Sequence, residues 1–322
     1  EDGNNWCSSI AIVRSDRAHV RQNLVERSYG EGININYGSS DAIVEDNRVY
    51  GVRAVGIYAD SAPNAIIRRN IVLGTSDSKY WRYAKTTGPG IALNTEPYAH
   101  TEGGGKLPTS VQSTNVRIYG NLVAYTGHGI AIWGGIPNTA FRNTQIYNNT
   151  LVDNGVQFRT MGEDMPDSIF ANNILLSISS GTVDVNGSSA GLTTRNNYYG
   201  KGDPGGVYSH SGNRYSGLQL AKMSGWRSIS SADAVSAADF APASTSATNG
   251  AGYDGHHGAA SAKDTYNLDY QANPHNKPMD IGAIRSGPFL HLVPIFTAII
   301  ASTLLGEHLA LFHVIGFVLI LA

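Results

Sequence analysis

Apolar and polar residues alternate along most of this chain, and the alternation comes in short bursts. In "AIIRRNIV" at 65–72 the apolar residues Ala65, Ile67 and Val72 are spaced for one face, as are Val116, Ile118 and Val123 in "VRIYGNLV". That period belongs to a β-strand with one buried side. The bursts also recur. An Asn precedes the final apolar pair at Asn23, Asn47, Asn70, Asn121, Asn149, Asn173 and Asn197, at intervals of 24, 23, 51, 28, 24 and 24. A second phrase follows most of them: "EGININY" at 31–37, "VGIYAD" at 55–60, "PGIALNT" at 89–95 and "HGIAIWG" at 128–134.

Two short strands per repeat, joined by turns, leave no room for a crossover helix. The pattern predicts an all-β coil stacked on copies of itself, each rung pairing with the next at the ordinary strand spacing of about 4.8 Å. A β-sandwich holds no fixed phase, and a propeller blade needs roughly 40 residues. Asn at one fixed place predicts an internal ladder of side-chain amides, and its tolerance of left-handed backbone suits a tight turn. Ile33, Ile57, Ile91 and Ile130 should point inward. Asn36, Asp60, Asn94 and Trp133, with Arg159, then face outward in one column.

These phrases resemble the "nVtIrNN.v…g.GI.i" rungs of the right-handed parallel β-helix proteins, the pectate-lyase-like superfamily. The resemblance runs from about residue 8 to 200 and extends through a cap containing "SGLQLAKMSGW" to the closing "DIGA" at 280–283. It implies a single-stranded right-handed solenoid over residues 1–200, with rungs lost before Glu1, and an irregular C-terminal cap over 201–287. It also implies a secreted, periplasmic or cell-surface setting. Activities in that superfamily include lyases, hydrolases and epimerases, so the fold does not select one.

The 51-residue interval marks where chemistry belongs. It is one ordinary rung with two insertions, at opposite ends of "PGIALNT", and both would rise beside the same strip of sheet. The first, "TSDSKYWRYAKTT", carries Lys79, Trp81, Arg82, Tyr83 and Lys85; the second, "EPYAHTEGGGKLPTS", carries Glu96, Tyr98, His100 and Glu102. Aromatic faces beside carboxylates, amides and cations suit a groove for a sugar polymer. Tyr58, Asp60, Trp81, Tyr83, Asn94, Glu96, Tyr98, His128, Trp133 and Arg159 are the expected substrate contacts. The bland reading is that outward residues of a solenoid are polar whatever their task.

A lyase must remove the proton α to a uronate carboxylate after neutralising that carboxylate. Lys79, Lys85 or His100 would be the base, with Arg82 or Arg159 on the carboxylate. Asp60, Glu96 and Glu102 would ligate calcium if one takes part; no other cofactor is implied. Lyase-type β-elimination on an extracellular, uronate-containing polysaccharide is favoured. A non-catalytic glycan-binding, structural or adhesive β-helix is one alternative. Another is a glycoside hydrolase using paired carboxylates, Asp60 and Glu96.

Charge and composition narrow this further. With 23 Lys and Arg against 25 Asp and Glu, no basic field suggests nucleic acid as a partner. A single cysteine, Cys7, permits neither an internal disulfide nor a multi-Cys metal site. His256 and His257, adjacent in "GYDGHHGAAS", would point to opposite faces of a strand and read as a polar surface loop.

The averages conceal two populations. Every Lys and Arg lies at or before Arg285, and Glu307 is the one acid after Asp280. The tail "PFLHLVPIFTAIIASTLLGEHLALFHVIGFVLILA", 288–322, predicts two apolar helices around the corner "GEH". Pro294, Phe296, Gly306, Glu307 and Gly316 give it a resemblance to the last two helices of EamA-type drug/metabolite transporters. The body is expected outside the membrane and the tail to be membrane-inserting. A chimeric reading frame joined at Gly287–Pro288 is the favoured origin, and a genuine tether the alternative.

Overall fold

The computed structural model describes residues 7–96, 112–134, 139–177, 185–186, 189–195, 197–201, 208–210 and 213–215. All lie in the first of two units into which the chain divides, Glu1–Arg285 and Ser286–Ala322. They form a parallel β-helix of seven turns. Three seven-stranded sheets run its length, and every neighbouring pair within them is parallel.

Each turn therefore carries three strands where the repeat phrases suggested two. The first sheet takes the "GI" phrases: Ser8–Val13, Glu31–Asn36, Ile57–Asp60, Ile91–Thr95, His128–Gly134, Val156–Thr160 and Val185–Asn186. The Asn phrase supplies the other two, because a corner splits it. In "AIIRRNIV", Ile66–Arg68 joins the second sheet and Ile71–Leu73 the third. The break is a single left-handed residue before each ladder Asn: Gln22, Asp46, Arg69, Asn148 and Asn172 have φ of 56°, 57°, 52°, 52° and 57°. The expectation that Asn itself takes this backbone is thus off by one. Its neighbour bends the chain, which leaves the Asn side chain pointing inward.

There the amide ladder runs unbroken. Nδ2 of Asn23, Asn47, Asn70, Asn121, Asn149 and Asn173 donates to Oδ1 of the next Asn at 2.9, 3.0, 3.0, 3.0, 3.0 and 2.9 Å. Each Oδ1 also accepts the backbone N–H of the Asn below, as from Asn121 to Asn149 at 3.0 Å. A second amide proton caps a carbonyl two residues back, as from Asn149 to Tyr147 at 3.1 Å. A buried corner leaves peptide groups that no strand can satisfy, and one amide per turn satisfies several of them.

The core is the aliphatic column inside this frame. Ile33, Ile57, Ile91 and Ile130 are fully buried in it, alongside Val44, Ile67, Ile118 and Ile146 from the second sheet. The Gly before each Ile is required by close approach. A Cβ on Gly56 would lie 2.5 Å from the carbonyl oxygen of Gly90 on the next turn. Phe158 and Phe170 stack at 4.2 Å near the C-terminal turns, where the aliphatic column becomes aromatic.

The insertion before Ile91 is built on the third-sheet strand Ile71–Leu73. It carries a short 3-10 helix, Ser78–Tyr80, capped by Asp77, whose side chain accepts from the Lys79 N–H. Trp81 Nε1 donates to the Thr75 carbonyl at 2.8 Å, which pins the loop to its own base. Tyr208–His210 and Asn213–Tyr215, in the expected cap, pair antiparallel. Among the described residues no helix is long and apolar enough to cross a membrane. The tail 288–322 lies outside the described residues.

Candidate functional site

A groove of about 520 Å³ opens on the outer face of the first sheet, over the turns from Ser8 to Arg159. Strand register decides what lines it. Asn94 pairs with Asp60 on one side and Trp133 on the other, so these three form the expected outward column. Arg159 pairs with Ala131, two residues before Trp133, and belongs to the neighbouring column with Tyr58 and Ala92. The shift sets Arg159 beside Trp133 instead of above it.

The acidic end is the most structured part. Tyr58 Oη and Asn94 Nδ2 both donate to Glu96 Oε1 at 2.8 Å, and Asn94 Nδ2 also donates to Tyr58 Oη at 2.8 Å. The Glu96 N–H donates to Asp60 Oδ1 at 2.8 Å. Asp60 is 4% exposed although it projects from the outer face, and Asn94 is fully buried. Burial pushes the Asp60 carboxyl up to about 6; the charges of Glu96 and Glu31 add to this and the Glu96 N–H opposes it. Burial, with the Asp60 and Glu96 charges, drives the Tyr58 hydroxyl well above its ordinary range.

Glu31 completes this end and was absent from the sequence expectation. It accepts from Ser8 Oγ at 2.8 Å and from Asn34 Nδ2 at 2.5 Å, and burial raises its carboxyl. A signal for it existed. Glu31, Val55, Pro89 and His128 each precede the repeat Gly, and all four line the groove. Polar residues at that position were therefore candidates.

The basic end is built around His128. Its Nε2 accepts from Arg159 Nη1 at 2.9 Å, and Tyr83 meets the ring edge-on at 5.3 Å. Burial, then the Arg159 and Arg82 charges, lower the imidazole to about 4, so it is neutral at ordinary pH. Arg82 and Tyr83 reach the groove from the first insertion. Between the two ends lies Trp133, half-buried, with its ring 5.7 Å from that of Tyr58 at an interplanar angle of 24°.

Of the expected contacts, Tyr58, Asp60, Tyr83, Glu96, His128, Trp133 and Arg159 line this groove, with Asn94 tied to them by hydrogen bonds. Lys79 and Lys85 are exposed on the first insertion and are not among the lining residues, nor is Trp81, held at the loop base. Tyr98, His100 and Glu102 lie outside the described residues, as do His256 and His257.

The sequence profile of the family described as "Periplasmic copper-binding protein (NosD)" matches residues 2–219. No curated protein matches the chain significantly. The solved structure described as "The complex structure of XylC with xylose" is similar at 12% identity and a TM-score of 0.37. The match covers 84% of this chain and 50% of that one, so the chain spans about half its length.

Copper prefers imidazole, thiolate and thioether ligands. The described groove does not fit it. No three His, Cys, Asp or Glu side chains are grouped for a metal among the described residues. His128 Nε2 is engaged as acceptor of the Arg159 hydrogen bond, and the charges of Arg159 and Arg82 beside the ring disfavour a cation there. Of the calcium ligands expected, Asp60 and Glu96 both border the groove and each accepts a hydrogen bond from a chain donor, whereas Glu102 lies outside the described residues.

Proposed function

The chain belongs to the family described as periplasmic copper-binding protein (NosD), and from that premise we propose that its groove binds a uronate-bearing polysaccharide outside the cytoplasm. The observation that carries this reading is the Arg159–His128 pair. A groove arginine bonded to a neutral imidazole keeps its full charge, so it is ready for a ligand carboxylate. Trp133, beside it, offers a ring face for a pyranose.

Elimination is poorly supplied with a base at this end. Lys79 and Lys85 do not line the groove. His128 does, but an imidazole lowered to about 4 is a weak proton acceptor. Binding of the polymer is therefore the core of the proposal.

The test is calorimetric titration of the full chain, in mild detergent, with hexasaccharides of galacturonate, alginate and cellulose. We expect a uronate oligomer to bind, Arg159→Ala to weaken it at least tenfold, and the neutral oligomer to be indifferent to that change. Equal affinity of wild type and Arg159→Ala for the uronates would refute the reading.

For the tail 288–322 we propose a membrane-inserting hairpin of separate origin, resting on its charge-free runs and its resemblance to EamA-type transporter ends. Sequencing source DNA across Gly287–Pro288 tests the origin. A continuous frame in independent isolates would overturn it.

A further inference from the structure

We infer that the acidic end of the groove cleaves the bound polymer by hydrolysis, with Asp60 as proton donor and Glu96 as the base that activates water. This rests on the saccharide-binding reading and adds a reaction to it. Three observations carry it besides the proximity of two carboxylates.

First, the two acids sit in opposite environments, which is how one site runs acid and base chemistry together. Asp60 is 4% exposed and inside the sheet's outer layer, whereas Glu96 is exposed at the groove edge. Burial disfavours the charged form of Asp60, which suits it to hold a proton for donation.

Second, Glu96 is oriented. Tyr58 and Asn94 both donate to Oε1, which fixes the carboxylate plane and leaves Oε2 as acceptor for a water proton. Tyr58 is itself held by Asn94, so the acid, the base and their supports form one connected network on adjoining turns.

Third, the same cavity contains an unfilled polar position. Asn34 is 5% exposed and lines the groove, yet its Oδ1 has no partner among the described residues. A buried amide oxygen left unsatisfied points to a donor supplied from outside, such as a sugar hydroxyl. Trp133 in the same groove gives the ring a face to rest on.

The step balances without any co-reactant other than water. The Asp60 proton passes to the glycosidic oxygen as the bond from that oxygen to the anomeric carbon breaks, and the bonding pair leaves with the oxygen. Water attacks the anomeric carbon from the opposite face, and its proton passes to Glu96. Two shorter chains result, with Asp60 ionised and Glu96 protonated; exchange with solvent restores both.

The experiment follows three quantities for the full chain with polygalacturonate and alginate: binding by Trp fluorescence, new reducing ends, and near-ultraviolet absorbance of unsaturated ends. Hydrolysis predicts reducing ends without that absorbance. Asp60→Asn and Glu96→Gln should each lower turnover at saturating polymer at least about 100-fold, with any change in affinity read separately from the fluorescence titration. Unsaturated product, turnover unchanged in either variant, or binding without turnover would each overturn the inference and leave the binding proposal standing. Absence of binding to both polymers would overturn both.

Discussion

His128 and Arg159 face each other from adjacent turns, with Nη1 of the arginine donating to Nε2 of the imidazole at 2.9 Å. A guanidinium cannot give up its charge, so the pair is stable only while the imidazole stays neutral. The relationship makes a measurable statement about protonation. Arg159→Ala should raise the His128 pKa from about 4 toward its ordinary 6.5. It should stop short of that value, because burial, the larger cause, remains. Titration of the imidazole by NMR in wild type and variant checks this; an unmoved pKa would deny the arginine its role.

A second prediction concerns stability against pH. The folded-state pKa of His128 lies below its ordinary 6.5, so between about 4 and 6.5 the unfolded chain binds the extra proton. Its contribution is present above 6.5 and is lost as pH falls toward 4. Asp60 runs the other way. Its folded-state pKa of about 6 exceeds the ordinary 3.8, so the folded chain holds the extra proton, and stability falls as pH rises through that window. The two slopes oppose each other between about 4 and 6. Asp60→Asn should therefore expose a stability that rises with pH, and His128→Gln one that falls. Urea unfolding at several pH values reads the slopes, and parallel profiles for the two variants would contradict the assignment.

The amide ladder makes a third. Asn149→Ala removes the acceptor of the Asn121 N–H and Nδ2, the donor to Asn173 Oδ1, and the cap on the Ile118 and Tyr147 carbonyls. Each buried group left unsatisfied costs on the order of 1–3 kcal/mol, so the variant should lose at least about 3 kcal/mol or fail to fold. Chemical denaturation measures it.

Two glycines separate crowding from backbone strain. Gly56→Ala would drive a methyl to 2.5 Å from the Gly90 carbonyl and 2.6 Å from a Val72 methyl. Gly162→Ala meets nothing within 4 Å but sits at φ +94°. Thermal unfolding should show the first as the more damaging, by on the order of 2 kcal/mol or more, against about 1 kcal/mol for the second. Equal losses would mean that the stacked turns separate to accept the methyl.

Much of the fold was legible because its physics is local and repeated. The interval of the Asn residues required a stacked coil, and the Ile after each repeat Gly required an inward face. The third strand per turn was not legible. It depends on the left-handed residue before the ladder Asn; Asp46, Gly120, Asn148 and Asn172 there are of types that tolerate such backbone, but Gln22 and Arg69 are not. The ladder amide satisfies the peptide groups of the corner whatever residue precedes it, so composition at the bend marks it only in part.

The site divides in the same way. Sequence by itself determined that Asp60, Asn94 and Trp133 would share an outward column and that a rung with two insertions stood beside them, because strand period and repeat phase follow from residue order. Only the tertiary structure decided which insertion residues enter the groove. Arg82 and Tyr83 do, while Lys79 and Lys85 remain on the loop's exposed side. It also decided that Glu31 joins Asp60 and that Arg159 bonds His128 on the adjacent turn. Those outcomes depend on register between turns more than 20 residues apart in the chain and on how deeply each group is buried. Neither quantity is a property of any one stretch of sequence.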